Sequence, residues 1–160
     1  MTTPDQTVPY ITTTDAEGII DALQMRLFAL NDLHLVLKHV HWNVTGPSFI
    51  AVHEMLDPQI EDVREMADAL AERIAMLGGS PNGNAGALVA ARTWDDYKLG
   101  RVSTQEHMVA LDHVYINFNK DHHAAADIAA DKGDDVSQGI LLAQLEELDK
   151  YHWFIRSHLM

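Results

Sequence analysis

The sequence predicts an all-α protein, a four-helix bundle with a short extra helix in the long connection between helices 2 and 3. Apolar residues recur at intervals of three and four in four long segments, which is the pattern of amphipathic helices. Two capping boxes and other polar residues mark where these helices start. The longest stretch without this period separates the second segment from the third, and a bundle with one long crossover accommodates such a stretch.

The first helix is expected to begin at the capping box Thr14-Asp15-Ala16-Glu17, whose side-chain oxygens accept hydrogen bonds from free backbone amides. Its core-facing stripe consists of Ile20, Leu23, Leu27, Leu30, His34, Leu37, His41 and Val44. A second stripe at intervals of seven consists of Phe28, Leu35 and Trp42. One bundle cannot readily bury both stripes, so we expect the second to contact another subunit.

The second helix is expected from about residue 48 to residue 77, after the turn Thr45-Gly46-Pro47-Ser48. Pro58 lacks an amide hydrogen and should bend this helix, and Gly78-Gly79 should end it. Residues 80–102 then form the long connection, with one short helix around residues 85–92.

The third helix is expected to open at a second capping box, Ser103-Thr104-Gln105-Glu106, and to close at Lys132-Gly133. Asp135, together with Gln138, is predicted to cap the fourth helix. Residues 1–13 are acidic, rich in Thr and Pro and without helical period. We therefore predict an N-terminal arm over residues 1–13, followed by a single domain over residues 14–160.

Composition excludes several classes of function. The absence of cysteine excludes disulfides, thiolate metal sites and cysteine nucleophiles. Eleven basic residues against 24 acidic ones give a formal net charge of −13, which favours small cations and repels polyanions. We find no signal-peptide pattern and no apolar stretch long enough to span a bilayer, so we expect a cytoplasmic location, with nucleoid association as a further expectation.

Two histidines and two carboxylates form a predicted metal-binding set. His41 lies six residues before Pro47 and His53 six residues after it. Residues equidistant from the turn of a helical hairpin sit at the same level, so the two imidazoles should approach each other. Asp68 and Glu72 form an i, i+4 pair on one face of the second helix. Such nitrogen and oxygen ligands suit iron, zinc or manganese.

Helix geometry then predicts how the set is assembled. His53 and Asp68 are fifteen residues apart, which is about 22 Å along one helix. Metal–ligand bonds are only about 2 Å long, so the four side chains cannot bind one ion within a single chain. A two-fold axis near Glu61 and Asp62 would set the histidines of one subunit against the carboxylates of the other. The chemistry therefore predicts a homodimer at least.

Motifs spread over the chain carry a family resemblance: Lys38-His39-Val40-His41-Trp42-Asn43-Val44-Thr45-Gly46-Pro47-Ser48-Phe49, His53-Glu54, Asp68, Ala71-Glu72-Arg73-Ile74, Leu77-Gly78-Gly79-Ser80-Pro81 and Trp153-Phe154. They resemble the signature of the Dps family, the mini-ferritins named as DNA-binding proteins from starved cells. The resemblance implies a ferritin-like bundle assembled as a hollow dodecamer. It also implies oxidation of iron(II), preferentially by hydrogen peroxide, at ferroxidase sites shared across the two-fold interface, storage of the ferric mineral inside, and protection of DNA from oxidative damage.

Carried over by position, the iron ligands would be His41 and His53 of one subunit and Asp68 and Glu72 of its mate, with Asp57 as an accessory acid. Zinc or another divalent metal could occupy the same site. Trp42 could intercept escaping one-electron oxidants, or serve as an aromatic anchor in the subunit contact.

Other polar residues have both structural and functional interpretations. His34, His122 and His152 lie on apolar stripes and are interpreted as core residues, and Lys38 and His39 as surface residues. Three acids, Asp131, Asp134 and Asp135, cluster at the junction of the last two helices. They either complement the helix ends or, by the resemblance, line an acidic three-fold pore through which iron enters.

The sequence departs from the family pattern in one respect. Many relatives bind DNA through tails rich in Lys and Arg, whereas this arm has neither and the chain ends directly after the last helix. Tail-mediated DNA binding is therefore not expected, although binding bridged by divalent cations or by an unusual surface patch stays open. The alternative functions are a DNA-compacting oligomer with a vestigial or purely structural metal site, and an adaptor bundle without metal. An in-bundle di-iron site needs Glu-x-x-His pairs, and the chain has none.

Overall fold

The computed structural model describes residues 8–160 and contains five helices and two very short strands. In chain order these are α1 (Thr13–Asn43), β1 (Val44–Thr45), α2 (Phe49–Met76), α3 (Ala85–Ala91), β2 (Val102–Ser103), α4 (Thr104–Asp131) and α5 (Asp135–Ser157). α1 packs along α2, and α4 along α5. The two hairpins then pack together through contacts of α1 with α4 and of α2 with α5. The predicted all-α bundle with a short helix in its long connection is confirmed.

The core lies between the four long helices and follows the predicted stripes. Fully buried side chains come from all four long helices and include Leu23, Leu37, Leu56, Leu70, Leu111, Leu141, Leu148 and Ile155. Each long helix places one apolar face there because its apolar residues recur with the helical period. α2 continues through Pro58.

The strands were not predicted. β1 and β2 form a parallel pair in which Val44 opposes Val102 and Thr45 opposes Ser103. The Thr45 hydroxyl also donates a hydrogen bond to the Val102 carbonyl over 2.8 Å. This pair joins the end of α1 to the start of α4, so it holds the turn before α2 against the second hairpin.

The first helix begins earlier than predicted. Its cap is Thr12, whose Oγ1 accepts a hydrogen bond from the Asp15 amide over 3.1 Å, whereas a cap was predicted at Thr14. Burial of Ile11 in the core accounts for the difference, because it fixes the entry of the chain just before Thr12. Residues 1–7 of the predicted arm lie outside the described residues.

The predicted capping box of α4 is confirmed: Ser103 Oγ accepts from the Glu106 amide, and the Glu106 carboxylate accepts from the Ser103 amide over 3.1 Å. The cap of α5 is Asp134 and not Asp135. Gly133, with φ of 74°, closes α4 in a left-handed conformation, and Asp134 is the next residue. The Asp134 side chain accepts from the Ser137 amide over 3.1 Å.

Candidate metal centre

The α1–α2 hairpin places His41 and His53 against each other. His41 lies in the last turn of α1 and His53 in the second turn of α2. Gly46 lies in the connecting turn with φ of 111°, a left-handed backbone conformation that residues other than glycine rarely adopt. The two imidazole rings stack with their centroids 3.6 Å apart and their planes inclined by 25°. The predicted approach of the two imidazoles is therefore seen within one chain.

Reciprocal hydrogen bonds fix which ring nitrogen of each histidine carries a hydrogen. His41 Nδ1 lies 3.0 Å from the His53 carbonyl oxygen, and His53 Nδ1 lies 2.9 Å from the His41 carbonyl oxygen. A carbonyl can only accept, so each Nδ1 carries a hydrogen, and Nε2 is the ring atom whose lone pair can bind a metal when the imidazole is neutral. A hydrogen bond from one ring nitrogen to a carbonyl is also how metal-binding histidines are usually oriented.

The His41 carbonyl is available because it lies at the end of α1, where the last carbonyls lack helical partners. Burial lowers the pKa of His41, and the positive charge of Lys38 adds to this effect. The His53 carbonyl and the Asp57 carboxylate oppose it, but the net shift of the pKa is downward. His41 is therefore held in the neutral form that binds metal.

Asp57 completes a cluster of three possible ligands. Ligand atoms of His41, His53 and Asp57 all lie within 4.8 Å of one another, and no other such cluster occurs among residues 8–160. Asp57 Oδ1 lies 3.3 Å from His41 Nδ1 and 3.3 Å from Lys38 Nζ, and half of the Asp57 side chain is exposed. The carboxylate thus lies beside the imidazole pair, and its recorded contact is with His41 Nδ1.

Lys38 was interpreted as a surface residue, yet its ammonium competes for Asp57. Its position one helical turn before His41 was the signal that it belongs to the same face. His39 Nε2 lies 2.7 Å from the Leu99 carbonyl, so His39 holds the long connection and does not face the cluster.

Asp68 and Glu72 lie elsewhere in the subunit. Both are exposed on α2, where they line a groove with His34 and Arg64. Because α2 is continuous from Phe49 to Met76, the helix itself keeps them away from His53. The structure thus brings together three of the five predicted metal-site residues and leaves the other two on a separate surface of the same helix.

The second stripe of α1 is only partly exposed. Trp42 is 70% exposed and Leu35 is 58% exposed, whereas Phe28 is buried within the subunit at 5%. The prediction that all three face outward is wrong for Phe28. Trp42 follows His41 in sequence, but its side chain is turned towards the surface.

The three acids of the predicted pore have different environments. Asp131 and Asp135 are exposed, while Asp134 is completely buried. Arg73 Nη2 donates to Asp134 Oδ1 over 2.7 Å, and the Ser137 hydroxyl donates to the other carboxylate oxygen. We therefore remove Asp134 from the expected pore residues, because its carboxylate is used inside the subunit.

The core histidines are mostly as interpreted. His122 is fully buried and its Nε2 lies 3.0 Å from Gln144 Oε1, and His152 Nε2 lies 2.7 Å from Asp112 Oδ1. His34 is only half-buried and borders the groove of Asp68.

No helix among the described residues is both long and apolar enough to cross a membrane.

Comparison with known proteins agrees with this architecture. A family model described as a ferritin-like domain matches residues 20–160. The DNA protection during starvation protein of Mycolicibacterium smegmatis is 51% identical over 153 residues, which cover 96% of this chain and 83% of that protein. The fine tangled pili major subunit of Haemophilus ducreyi is 48% identical over 155 residues, covering 97% of this chain and 82% of that protein.

Solved structures are similar over almost the whole chain. The tetragonal form of Mycobacterium smegmatis Dps has a TM-score of 0.94 at 50% identity, covering 99% of this chain and 94% of that one. DpsA14 from Streptomyces coelicolor has a TM-score of 0.94 at 53% identity, covering 96% and 90%. The resemblance noted in the sequence is thereby confirmed, and the chain belongs to the Dps family of ferritin-like proteins.

Proposed function

We propose that this protein oxidises iron(II), preferentially with hydrogen peroxide, and stores the ferric product inside a hollow dodecamer. The reciprocal His41–His53 pair carries the proposal. Two carbonyl hydrogen bonds occupy both Nδ1 atoms and leave both Nε2 atoms without a hydrogen-bond partner among the described residues, which is an arrangement that a structural role does not require. Asp57 lies beside the pair as a third possible ligand. Iron is the substrate of this reaction, with zinc or another divalent ion as a competitor for the same ligands.

The proposed ligand set is completed across a two-fold axis. His41 and His53 of one subunit would meet Asp68 and Glu72 of its mate, because the groove of Asp68 and Glu72 lies at the other end of α2. Antiparallel pairing of two copies of α2 about its middle brings opposite ends of the helix together and creates the site twice.

The chemistry balances with two iron ions for each peroxide. Two iron(II) ions each lose one electron, the O–O bond of hydrogen peroxide breaks, and two protons are taken up to give two molecules of water. The neutral imidazoles bind iron(II), and the carboxylates offset the additional positive charge of iron(III). A two-electron reduction of peroxide releases no hydroxyl radical.

The surface acids support a route for iron into the shell. Asp131 and Asp135 are exposed at the α4–α5 junction, and we propose that three copies line a pore there. Repeated carboxylates would raise the local concentration of iron(II) in a chain whose net charge is already −13.

Subunit complementation tests the shared site. His53→Ala and Asp68→Ala homo-oligomers should each lose most peroxide-driven iron(II) oxidation. When the two variants are dissociated, mixed equally and reassembled, half of the dimers are mixed, and each mixed dimer has one intact and one doubly altered site. About a quarter of the wild-type rate should therefore return. No recovery would show that the ligands act within one chain, and full activity of both variants would refute the proposal.

The similar protein of Mycolicibacterium smegmatis is named for DNA protection during starvation, which also bears on the proposal. We propose that this protein protects DNA by removing iron(II) and peroxide, in the cytoplasm near the nucleoid, and not through a basic tail. A mobility-shift series over salt concentration separates this from the DNA-compacting alternative, since phosphate contacts give a steep salt dependence. A salt-sensitive shift without magnesium would contradict our proposal.

A further inference from the structure

A second cavity lies between α1, α4 and the connection after α3. Its volume is about 720 Å³, within the range of small-molecule sites. Ala29, Leu33, Val36 and Val114 provide apolar lining, and Trp94, Tyr97 and Phe118 provide aromatic lining. None of the predicted metal-site residues contributes to it.

Arg26 lines this cavity with most of its hydrogen-bonding capacity unused. Only 6% of its side chain is exposed. Nη1 donates one long hydrogen bond to the Phe118 carbonyl over 3.4 Å, and Nη2 lies 4.0 Å from Asp121, beyond hydrogen-bonding distance. The Phe118 ring centroid lies 5.3 Å from the guanidinium carbon. A guanidinium has five N–H donors, so most of them have no protein partner among the described residues.

The same chain shows what a fully paired buried arginine looks like. The Arg73 side chain is 4% exposed, and it donates to Ser137 Oγ over 2.8 Å, to Tyr10 over 3.1 Å and to Asp134 over 2.7 Å. Burial lowers the pKa of Arg26 although the charge of Asp121 acts against it, whereas hydrogen bonds outweigh burial at Arg73 and raise its pKa. Leaving a buried charge so poorly paired is costly unless something else pairs with it.

We propose that this cavity binds a small organic monocarboxylate with a flat apolar body, whose carboxylate pairs with Arg26. The planar guanidinium fork matches a carboxylate with two parallel hydrogen bonds. Trp94 is already held in place, because its Nε1 donates to Asp32 over 2.6 Å, so a flat body meets a preformed wall.

The charges around the cavity limit the charge of the ligand. Besides Arg26, Lys98 and Lys120 line it, and so do four acids, namely Asp32, Asp95, Asp96 and Asp121. A polyanion would be repelled by these carboxylates, while a single carboxylate can reach Arg26. Inorganic phosphate, largely a dianion at neutral pH, should therefore bind much more weakly than a monocarboxylate.

Calorimetric titration of the assembled protein tests the proposal, with 2-naphthoate as the probe and the neutral 2-naphthalenemethanol as its matched partner. We expect one naphthoate per subunit and about tenfold weaker binding of the alcohol, because a charge-assisted pair with Arg26 is lost. Arg26→Met should lose the preference for the acid. His123→Gln, an exposed change on α4 outside the cavity, should retain it.

The proposal is overturned if naphthoate does not bind at millimolar concentration, or if acid and alcohol bind with equal affinity. It is also overturned if Arg26→Met binds naphthoate unchanged, or if phosphate binds as tightly as naphthoate. If Arg26→Met does not assemble, Asp121→Asn decides, because removing the nearest carboxylate should strengthen naphthoate binding about twofold. No gain in that variant would count against the assignment.

Discussion

Replacing Asp134 by asparagine tests whether a buried ion pair, and not a pore, explains this residue. The Asp134 side chain is 0% exposed, and its partner Arg73 is 4% exposed at 2.7 Å. Asparagine is also a good helix cap and can still accept from the Ser137 amide. The exchange therefore removes mainly the negative charge that faces the Arg73 guanidinium.

The expected loss follows from leaving Arg73 buried without its counter-charge. Breaking a buried pair on one side costs about 3–5 kcal/mol, and the lower end, about 3 kcal/mol, applies because the cap is retained. For a domain of this size that corresponds to a decrease in melting temperature of about 10 °C. Burial alone would raise the pKa of Asp134, but hydrogen bonds from Ser137 and Arg73 hold it below its usual value. The contribution is thus present at neutral pH and is lost as pH falls through the lowered pKa.

Thermal unfolding followed by circular dichroism at neutral pH is the measurement. Asp135→Asn is the matched control, because Asp135 is exposed in the first turn of the same helix and should cost less than 1 kcal/mol. If the two variants melt within about 2 °C of each other, the ion pair does not stabilise the fold as argued. A slower entry of iron into a fully stable Asp134→Asn shell would restore the pore interpretation.

Three further predictions concern His122, Lys38 and Trp42. Burial lowers the pKa of His122 to about 3, so the unfolded chain binds a proton that the folded chain does not. The free energy of unfolding should therefore fall as pH decreases below about 6.5, by about 2 kcal/mol at pH 5. In pH-dependent melting, His122→Gln should remove this share of the acid sensitivity, and the exposed His123→Gln should not. Lys38→Met should strengthen anaerobic binding of iron(II) by up to about fivefold, because a partly exposed cation no longer competes for Asp57, and unchanged affinity by calorimetry would remove Lys38 from the site. Trp42→Phe should preserve assembly in ultracentrifugation but increase peroxide-driven nicking of DNA. Trp42→Ala should also weaken the subunit contact by about 2 kcal/mol. Equal nicking by wild type and Trp42→Phe would leave the indole only an anchoring role.

Most of the fold could be predicted from the sequence because its signals are local. The helical period of apolar residues located four long helices, and Gly78 and Gly133 marked where two of them end. The predicted helix caps were wrong where two nearby residues of similar chemistry could each take the cap position. Thr12 and Thr14 can both cap a helix, as can Asp134 and Asp135, and only burial of Ile11 and the position of Arg73 select between them.

The candidate site was predictable in part for the same reason. Equal distances of His41 and His53 from Pro47 fix their levels in a hairpin, so their approach follows from one turn and two helices. The sequence does not predict that each imidazole donates to the backbone carbonyl of the other histidine, since these hydrogen bonds depend on the rotation of α1 against α2. The competition of Lys38 for Asp57 depends on the same packing.

By itself the sequence determined the helices, the apolar faces and the fact that His53 and Asp68 lie too far apart on one helix to act within one chain, because these depend on spacing along a regular helix. Only the tertiary structure decided which nitrogen of each imidazole is free, that Asp134 is buried against Arg73, and that Arg26 lines a separate cavity without full pairing. Those features arise between elements distant in the chain, where packing sets rotamers, burial and partners that no local pattern encodes.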